Sequence, residues 1–564
     1  MLCDPAVSTC KWLFHVVLVS ALGLVCSSIP ALAQTERVLI LHTNDIHDHV
    51  RPGYIGIGGL PFVSGFVDAV RADRDDVLVL DAGDALEKGD LLAYRTKGRS
   101  TYEAMARVGY DAITIGNHDL DFGIEHLRDI EEGVLEQQFV LLNLIEPSGE
   151  PIFTPSRVVD VDGVRVGIIG MISPRDAAFG GVDLADSGEM LAEESERLAQ
   201  ESDIIVALAH EGSRYVSEWA RMAPSVDIFV AGHHHETLLE PMSVEGSDAI
   251  IVSAGSDAHW VGHLEVELNP ETGEIVGYEG GLNLMRHDTV PVDADMVSWL
   301  ESYEAQWAPE ASAAVTRLEE PLGWFAVSRL AAEAIRLHAD ADVGFYHPAQ
   351  IVRNGLPAGS IDLNAIFRIS SERADSVVRL NMTGREISEY MTALAMSDWG
   401  QTQWSGFEVS VRQTGRNWVF NGVTVERAQY ANDLDPDRFY SVVMPEREFD
   451  RYLTDIFQPA YVRARPLENE GDDMEVVDVD RQGRHFPHEV LEFPAYQAVR
   501  AHLEALGRSE VSVERHLATL VAEQGDADPN EEQFEQQLVL PLTPEHYLEL
   551  EQRTDGLQVT ANQR

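Results

Sequence analysis

Cysteine is nearly absent: the 564-residue chain has three, Cys3, Cys10 and Cys26, and residues 27–564 have none. Past residue 26 that excludes disulfides and thiolate chemistry. Lysine is equally scarce, at three residues (Lys11, Lys88, Lys97), so arginine supplies the other 38 of the 41 basic residues. Positive charge as a whole is short. Against 95 Asp and Glu, the 41 Lys and Arg leave a formal net charge of −54. This excludes non-specific binding of nucleic acid or docking on anionic lipid. It suits a hydrated acidic surface in high external salt, and a base composition favouring arginine codons fits the same counts. No stretch reaches 18 consecutive apolar residues, and no internal repeat or low-complexity tract occurs. What is present, 45% hydrophobic and 24% charged residues, is the composition of a packed globular protein and not of a disordered one.

The one largely apolar run, residues 12–26, follows Lys11 and precedes Ala31-Leu32-Ala33. It is short for a bilayer span, and the small-x-small tripeptide fits a signal-peptidase site. The expectation is an export signal over 1–33, cleavage after Ala33 and a periplasmic or extracellular protein without a stable membrane anchor.

From residue 34 to about 290, short β-branched runs alternate with amphipathic segments. The runs are 38–41, 77–80, 112–115, 166–169, 204–207 and 228–230, and helix-like segments cover 62–70 and 100–108. This pattern predicts a layered α/β domain over 34–290. A polar helix-prone linker over 291–312 leads to an α+β domain over 313–525 and an acidic extension over 526–564.

Polar residues with metal-binding chemistry follow the predicted strands: Asn44-Asp45-Ile46-His47, Gly83-Asp84, Gly116-Asn117-His118-Asp119-Leu120-Asp121, His210 and Gly232-His233-His234-His235. In layered α/β domains the carboxyl ends of strands form the binding face. Five such loops bring Asp, His and Asn together, and Gly83, Gly116 and Gly232 are expected to supply positive-φ turns. Imidazole with carboxylate suits Zn, Mn or similar divalent ions, and a shared carboxylate suits a pair of them.

This ordered set resembles the calcineurin-like metallophosphoesterases, and more closely their secreted 5′-nucleotidase branch, which includes UDP-sugar hydrolases and 2′,3′-cyclic-nucleotide phosphodiesterases. The resemblance implies an N-terminal α/β/β/α metallophosphoesterase domain and a C-terminal α+β 5′-nucleotidase-type domain. It implies two divalent ions, one held by Asp45, His47, Asp84 and His235, the other by Asp84, Asn117, His210 and His233. It also implies in-line attack on phosphorus by metal-activated water, with His118 and Asp121 as a catalytic dyad. The implied partner is a small phosphorylated substrate, a nucleotide in this branch. His49 and His234 fall outside the motif and are read as groups behind the ligands or at the surface; Asp119 is read as a hydrogen-bond acceptor. The family usually has glycine where this chain has Asp48, and Gly89 comes one position later than usual after Asp84.

The second half matches less. Glu319-Glu320-Pro321-Leu322-Gly323 and Thr383-Gly384-Arg385-Glu386 fit the family's substrate domain. Its Asn-x-Gly-Gly-x-Arg signature is reduced to Arg353, Arg373 stands in the stretch replacing Pro-Phe-Gly-Asn, and Pro445–Asp450 replaces a Gly-Gly-Asp-Gly-Tyr loop. Arg353 and Arg373 are candidates for pairing with phosphate, with a surface salt bridge as an equal reading; Phe449, Tyr452, Trp404 and Phe407 are candidates for stacking on a ring, with core packing the favoured reading for each. A non-nucleotide or sulfur-containing substrate stays open, as does a non-catalytic metal-containing binding protein.

Overall fold

The computed structural model describes residues 36–517, apart from 88, 136–137, 175–183, 348–351, 353, 371–375, 397–401, 408, 414–417, 421–422, 426–427, 433, 454–485, 509–511 and 514. The expected export signal, Arg353, Arg373 and the acidic extension lie outside the described residues. Among the described residues no helix is long and apolar enough to cross a membrane.

Eleven strands build the first domain: β1 (Glu36–Thr43), β2 (Val77–Asp81), β3 (Ala112–Ile113), β4 (Ser156–Val161), β5 (Val164–Ile172), β6 (Ile204–His210), β7 (Ile228–Ala231), β8 (Met242–Ser243), β9 (Ile250–Val252), β10 (Trp260–Leu268) and β11 (Ile275–Leu284). They form two sheets, ordered β11-β10-β1-β2-β3 and β4-β5-β6-β7-β9-β8. In the first, β1, β2 and β3 run parallel; in the second, β5, β6, β7 and β9 do.

Alternation along β1 explains the layering. Val38 and Ile40 enter one core with Val166, Ile168, Val206, Leu208 and Val230 of the other sheet. Leu39 and Leu41 face the opposite way and join Phe62, Val63 and Val67 of helix Leu60–Asp73 and Met105 of helix Arg99–Val108. On the far side, Ile205, Ala207 and Phe229 pack with Leu191, Leu198 and Trp219 from two further helices. The result is the expected α/β/β/α sandwich. Strands buried on both faces read as unbroken hydrophobic runs, which is what made them visible in the sequence.

The segment between the domains contains a helix, Ala294–Trp307, capped by the Asp293 carboxylate, which accepts from the Asp295 and Met296 amides. Its Met296 and Leu300 are buried in the first domain's core. It is thus an outer element of that domain as well as a connection.

The second domain is built on a mixed sheet of strands Gln403–Ser405, Val343–Tyr346, Phe439–Pro445, Ser376–Thr383 and His488–Pro494, in that order. Helices Trp324–His338 and Ala495–Arg508 contribute to its core. In this domain the buried Glu448 carboxyl group accepts from Tyr390 Oη at 2.9 Å and from the His347 amide at 2.9 Å. Burial pushes its pKa up to about 8.

The two domains meet through Leu363 and Phe367, which enter the first domain's core, and through polar groups. Asn364 donates to Asp90 Oδ1 at 2.5 Å and accepts from the Leu91 amide at 2.7 Å. Arg368 donates to the carbonyls of Pro52 at 2.9 Å and Arg51 at 3.0 Å. Asp90 is fully buried and also faces Arg51 and Arg368; these cations hold its pKa down against burial.

Both sets of buried groups can be probed. Asn364→Ala strands a buried acceptor and a buried donor and should cost about 1–3 kcal/mol, read as a lowered urea midpoint. Glu448 keeps its proton in the folded protein to about pH 8, whereas its ordinary value is 4.5. Between those values the folded state binds the extra proton, so its contribution to stability falls as pH rises. Glu448→Gln removes that slope, so its unfolding temperature relative to wild type should climb from pH 5 to pH 8.

Candidate active site

The predicted loops converge at the carboxyl ends of β1, β2, β3, β6 and β7. Two groups of side chains there have the spacing to hold a metal ion: Asp45, His47 and His235, and Asp84, His210 and His233. Asn117 joins the second group, its Oδ1 2.9 Å from His233 Nδ1 and 3.3 Å from His210 Nε2. In the first, His47 Nε2 lies 2.9 Å from His235 Nε2 and 3.7 Å from Asp45 Oδ1.

The backbone achieves this by a route other than the one expected. Gly83 does have a positive φ of 87°, but the ligand candidates themselves occupy left-handed conformations: Asp45 (53°), His47 (51°), Asp84 (54°), His233 (68°) and His235 (55°). Such strain is held only where the surroundings over-determine it. Gly116 and Gly232 are not among the positive-φ residues and are needed for space. A Cβ on Gly116 would overlap Asp84 Oδ1, and one on Gly232 would sit 3.0 Å from the Ala82 carbonyl.

Asp119 is the acceptor expected of it. Its Oδ2 accepts from the amides of Asp84 (2.9 Å) and Gly116 (2.8 Å), and its Oδ1 from Leu86 N (3.0 Å) and Tyr102 Oη (2.8 Å). Asn44 orients Asp45, donating to its Oδ2 at 2.7 Å while bonding the Gly255 carbonyl and the Ala254 amide.

The donor atoms fit divalent ions. His210 Nδ1 faces the Ala82 carbonyl at 2.8 Å, so that nitrogen carries the proton. Its Nε2 then presents a lone pair to Asp84 Oδ2 at 3.1 Å and to Asn117 Oδ1. Electron pairs converging in a buried site call for a cation or an added proton. Burial alone would lower the His210 pKa, yet the Asp84 carboxylate outweighs it and raises it to about 10. Burial likewise works to raise Asp84, and His210 and His118 hold it well below the carboxylate range.

His118 and Asp121 stand beside the clusters, with His118 Nδ1 3.3 Å from Asp121 Oδ2 and its ring 5.4 Å from that of His47. Burial lowers the His118 pKa, but Asp84 and the Asp121 hydrogen bond raise it to about 9. His49 lies behind the ligands, near Asp257 and Arg368. His234 faces Glu211 at 3.9 Å, and with His233 they make a third group of metal-binding spacing that the sequence reading missed. Glu87 was missed as well. Its carboxylate is 3.5 Å from His47 Nδ1.

Three of the ring-stacking candidates pack in the second domain's core, the reading the sequence favoured. Phe449 is 5% exposed and packs in the second domain's core, with its ring against His488 at 4.1 Å. Trp404 and Phe407 are buried in the same core.

This layered α/β domain, with imidazole–carboxylate clusters at its strand ends, is of the metallophosphoesterase class. Residues 38–237 match the calcineurin-like phosphoesterase family and residues 312–446 match the 5′-nucleotidase C-terminal domain. The chain thus carries a calcineurin-like phosphoesterase domain followed by a 5′-nucleotidase C-terminal domain. It is 28% identical to a mouse 5′-nucleotidase over 52% of this chain and 57% of that protein, so it spans about half the length of that relative. It is 22% identical to a Vibrio cholerae 5′-nucleotidase over 68% of this chain and 82% of that protein. Its fold is similar to the 5′-nucleotidase precursor of Thermus thermophilus, with a TM-score of 0.60, 23% identity, and coverage of 84% of this chain and 97% of that one.

The packing of Gly116 against Asp84 is directly testable. Gly116→Ala should lower the metal content per chain after loading with Mn, measured by plasma mass spectrometry, without changing the far-UV circular dichroism.

Proposed function

We propose that the protein is an exported phosphohydrolase with two divalent ions that removes phosphate from nucleotides or similar small phosphoesters. The observation carrying this reading is the juxtaposition of the two donor clusters with the His118–Asp121 pair on one binding face. Asp45, His47, Asp84 and His235 would hold one ion, and Asp84, Asn117, His210 and His233 the other. Divalent ions bound there would supply activation of water and neutralisation of charge on the phosphoryl group.

The chain's own groups do the rest. Asp121 faces Nδ1 of His118 and fixes the ring so that Nε2 is available to the substrate. Protonated His118 stabilises the developing charge or gives its proton to the leaving oxygen. Asp45, His47, Asp84 and His210 are buried, and the reduced solvent screening around them strengthens both effects.

A second reading keeps the chemistry and changes the substrate to a non-nucleotide phosphoester or a sulfur-containing compound. It is favoured by one observation. Where the family has a glycine-rich loop near the base-stacking aromatic, this chain has Glu448 hydrogen-bonded and Phe449 packed inside the domain.

The test is phosphate release from 5′-AMP and from an aryl phosphate, in high salt with Mn or Zn. Release from both, abolished by chelation and by Asp84→Asn, is the expected outcome, and His118→Asn should slow it by about 10²–10⁴-fold. Release from the aryl phosphate alone selects the second reading. Full activity in Asp84→Asn would overturn both.

A further inference from the structure

The two departures from the family pattern in the catalytic half, Asp48 and the lengthened stretch between Asp84 and Gly89, meet in space. Asp48 has φ 57°, a conformation that glycine adopts freely and aspartate does not. Its buried carboxylate makes use of the position. One oxygen accepts from Thr101 Oγ1, and the other from the Glu87 amide at 3.2 Å. The Asp48 carbonyl accepts from the Asp90 amide at 3.1 Å, and a Cβ on Gly89 would overlap that carbonyl. The longer loop is therefore held to residue 48 by side chain and backbone together.

What this arrangement presents is Glu87. Its side chain is 4% exposed, with Oε2 3.5 Å from His47 Nδ1. The Leu86 carbonyl faces the same nitrogen at 3.3 Å. Two oxygens on one side fix the proton on Nδ1 and leave the Nε2 lone pair toward Asp45 and His235. A carboxylate behind a metal-binding imidazole raises its basicity and fixes its ring. Burying such a charge is costly unless it faces positive charge, which an ion held by His47 would supply.

We propose that Glu87, supported by Asp48, is a positioning residue that strengthens binding of the ion held by His47. This rests on the metal reading of the site. It places behind the ligand set a group that no motif residue predicts.

The test is titration of metal-free, full-length protein with Mn²⁺ by calorimetry in competition with a chelator, alongside thermal unfolding of the metal-free forms. Wild type should take up two ions, and His47→Ala identifies the one concerned. Glu87→Ala should weaken that ion about 10–100-fold and leave the other within about twofold. Glu87→Gln, which keeps an acceptor oxygen without the charge, should fall between. Asp48→Gly, whose glycine suits the backbone, should fold and shift the same ion in the same direction. Unchanged affinities in both Glu87→Ala and Asp48→Gly would overturn the proposal and leave the metal reading standing. So would equal weakening of both ions with a lowered unfolding temperature, which marks a merely structural loop. Wild-type protein that takes up no Mn²⁺ would overturn both readings.

Discussion

Four hydrogen bonds converge on one buried carboxylate, that of Asp119, and the geometry of the site depends on them. Three come from backbone amides in the loops after β2 and β3, and the fourth from Tyr102. Asp84 and the Gly116–Asn117 pair thus have a common anchor that is not itself among the ligand candidates. Without it, the left-handed turn at Asp84 would relax and the two loops would lose their mutual register. Burial and the Asp84 charge raise the Asp119 pKa to about 6, a cost the backbone amides partly offset.

The acidity of the chain makes the siting of positive charge decisive. At −54 the molecule repels anions at long range, and salt confines that repulsion to about 10 Å or less. Inside the site a pair of divalent ions would reverse the sign locally. An anionic substrate would then be drawn by the immediate surroundings and not by the global field.

The layers were legible because β1, β2, β5, β6 and β7 are buried on both faces and must be apolar throughout. The ligand candidates were legible because Asp, His and Asn are unusual directly after such strands. The source of their aim was not. Positive φ was expected of Gly83, Gly116 and Gly232, but the ligand residues carry most of it, and two of the glycines serve to make room. Glu87 and Glu211 were hidden for another reason. Their neighbours come from loops remote in sequence, and no spacing rule joins Glu87 to His47 across 40 positions. In the second domain Phe449 was ambiguous, since an aromatic for stacking and an aromatic for packing look alike until burial is known.

The segment from Asp84 to Asp90 has a dual attachment. At one end Asp84 belongs to the donor cluster; at the other Asp90 is the buried contact for Asn364 and Arg368 of the second domain. Six peptide units separate the two ends, and Asp48 grips the middle. The seating of the second domain and the placement of the Asp84 carboxylate are therefore two readings of a single mechanical coordinate.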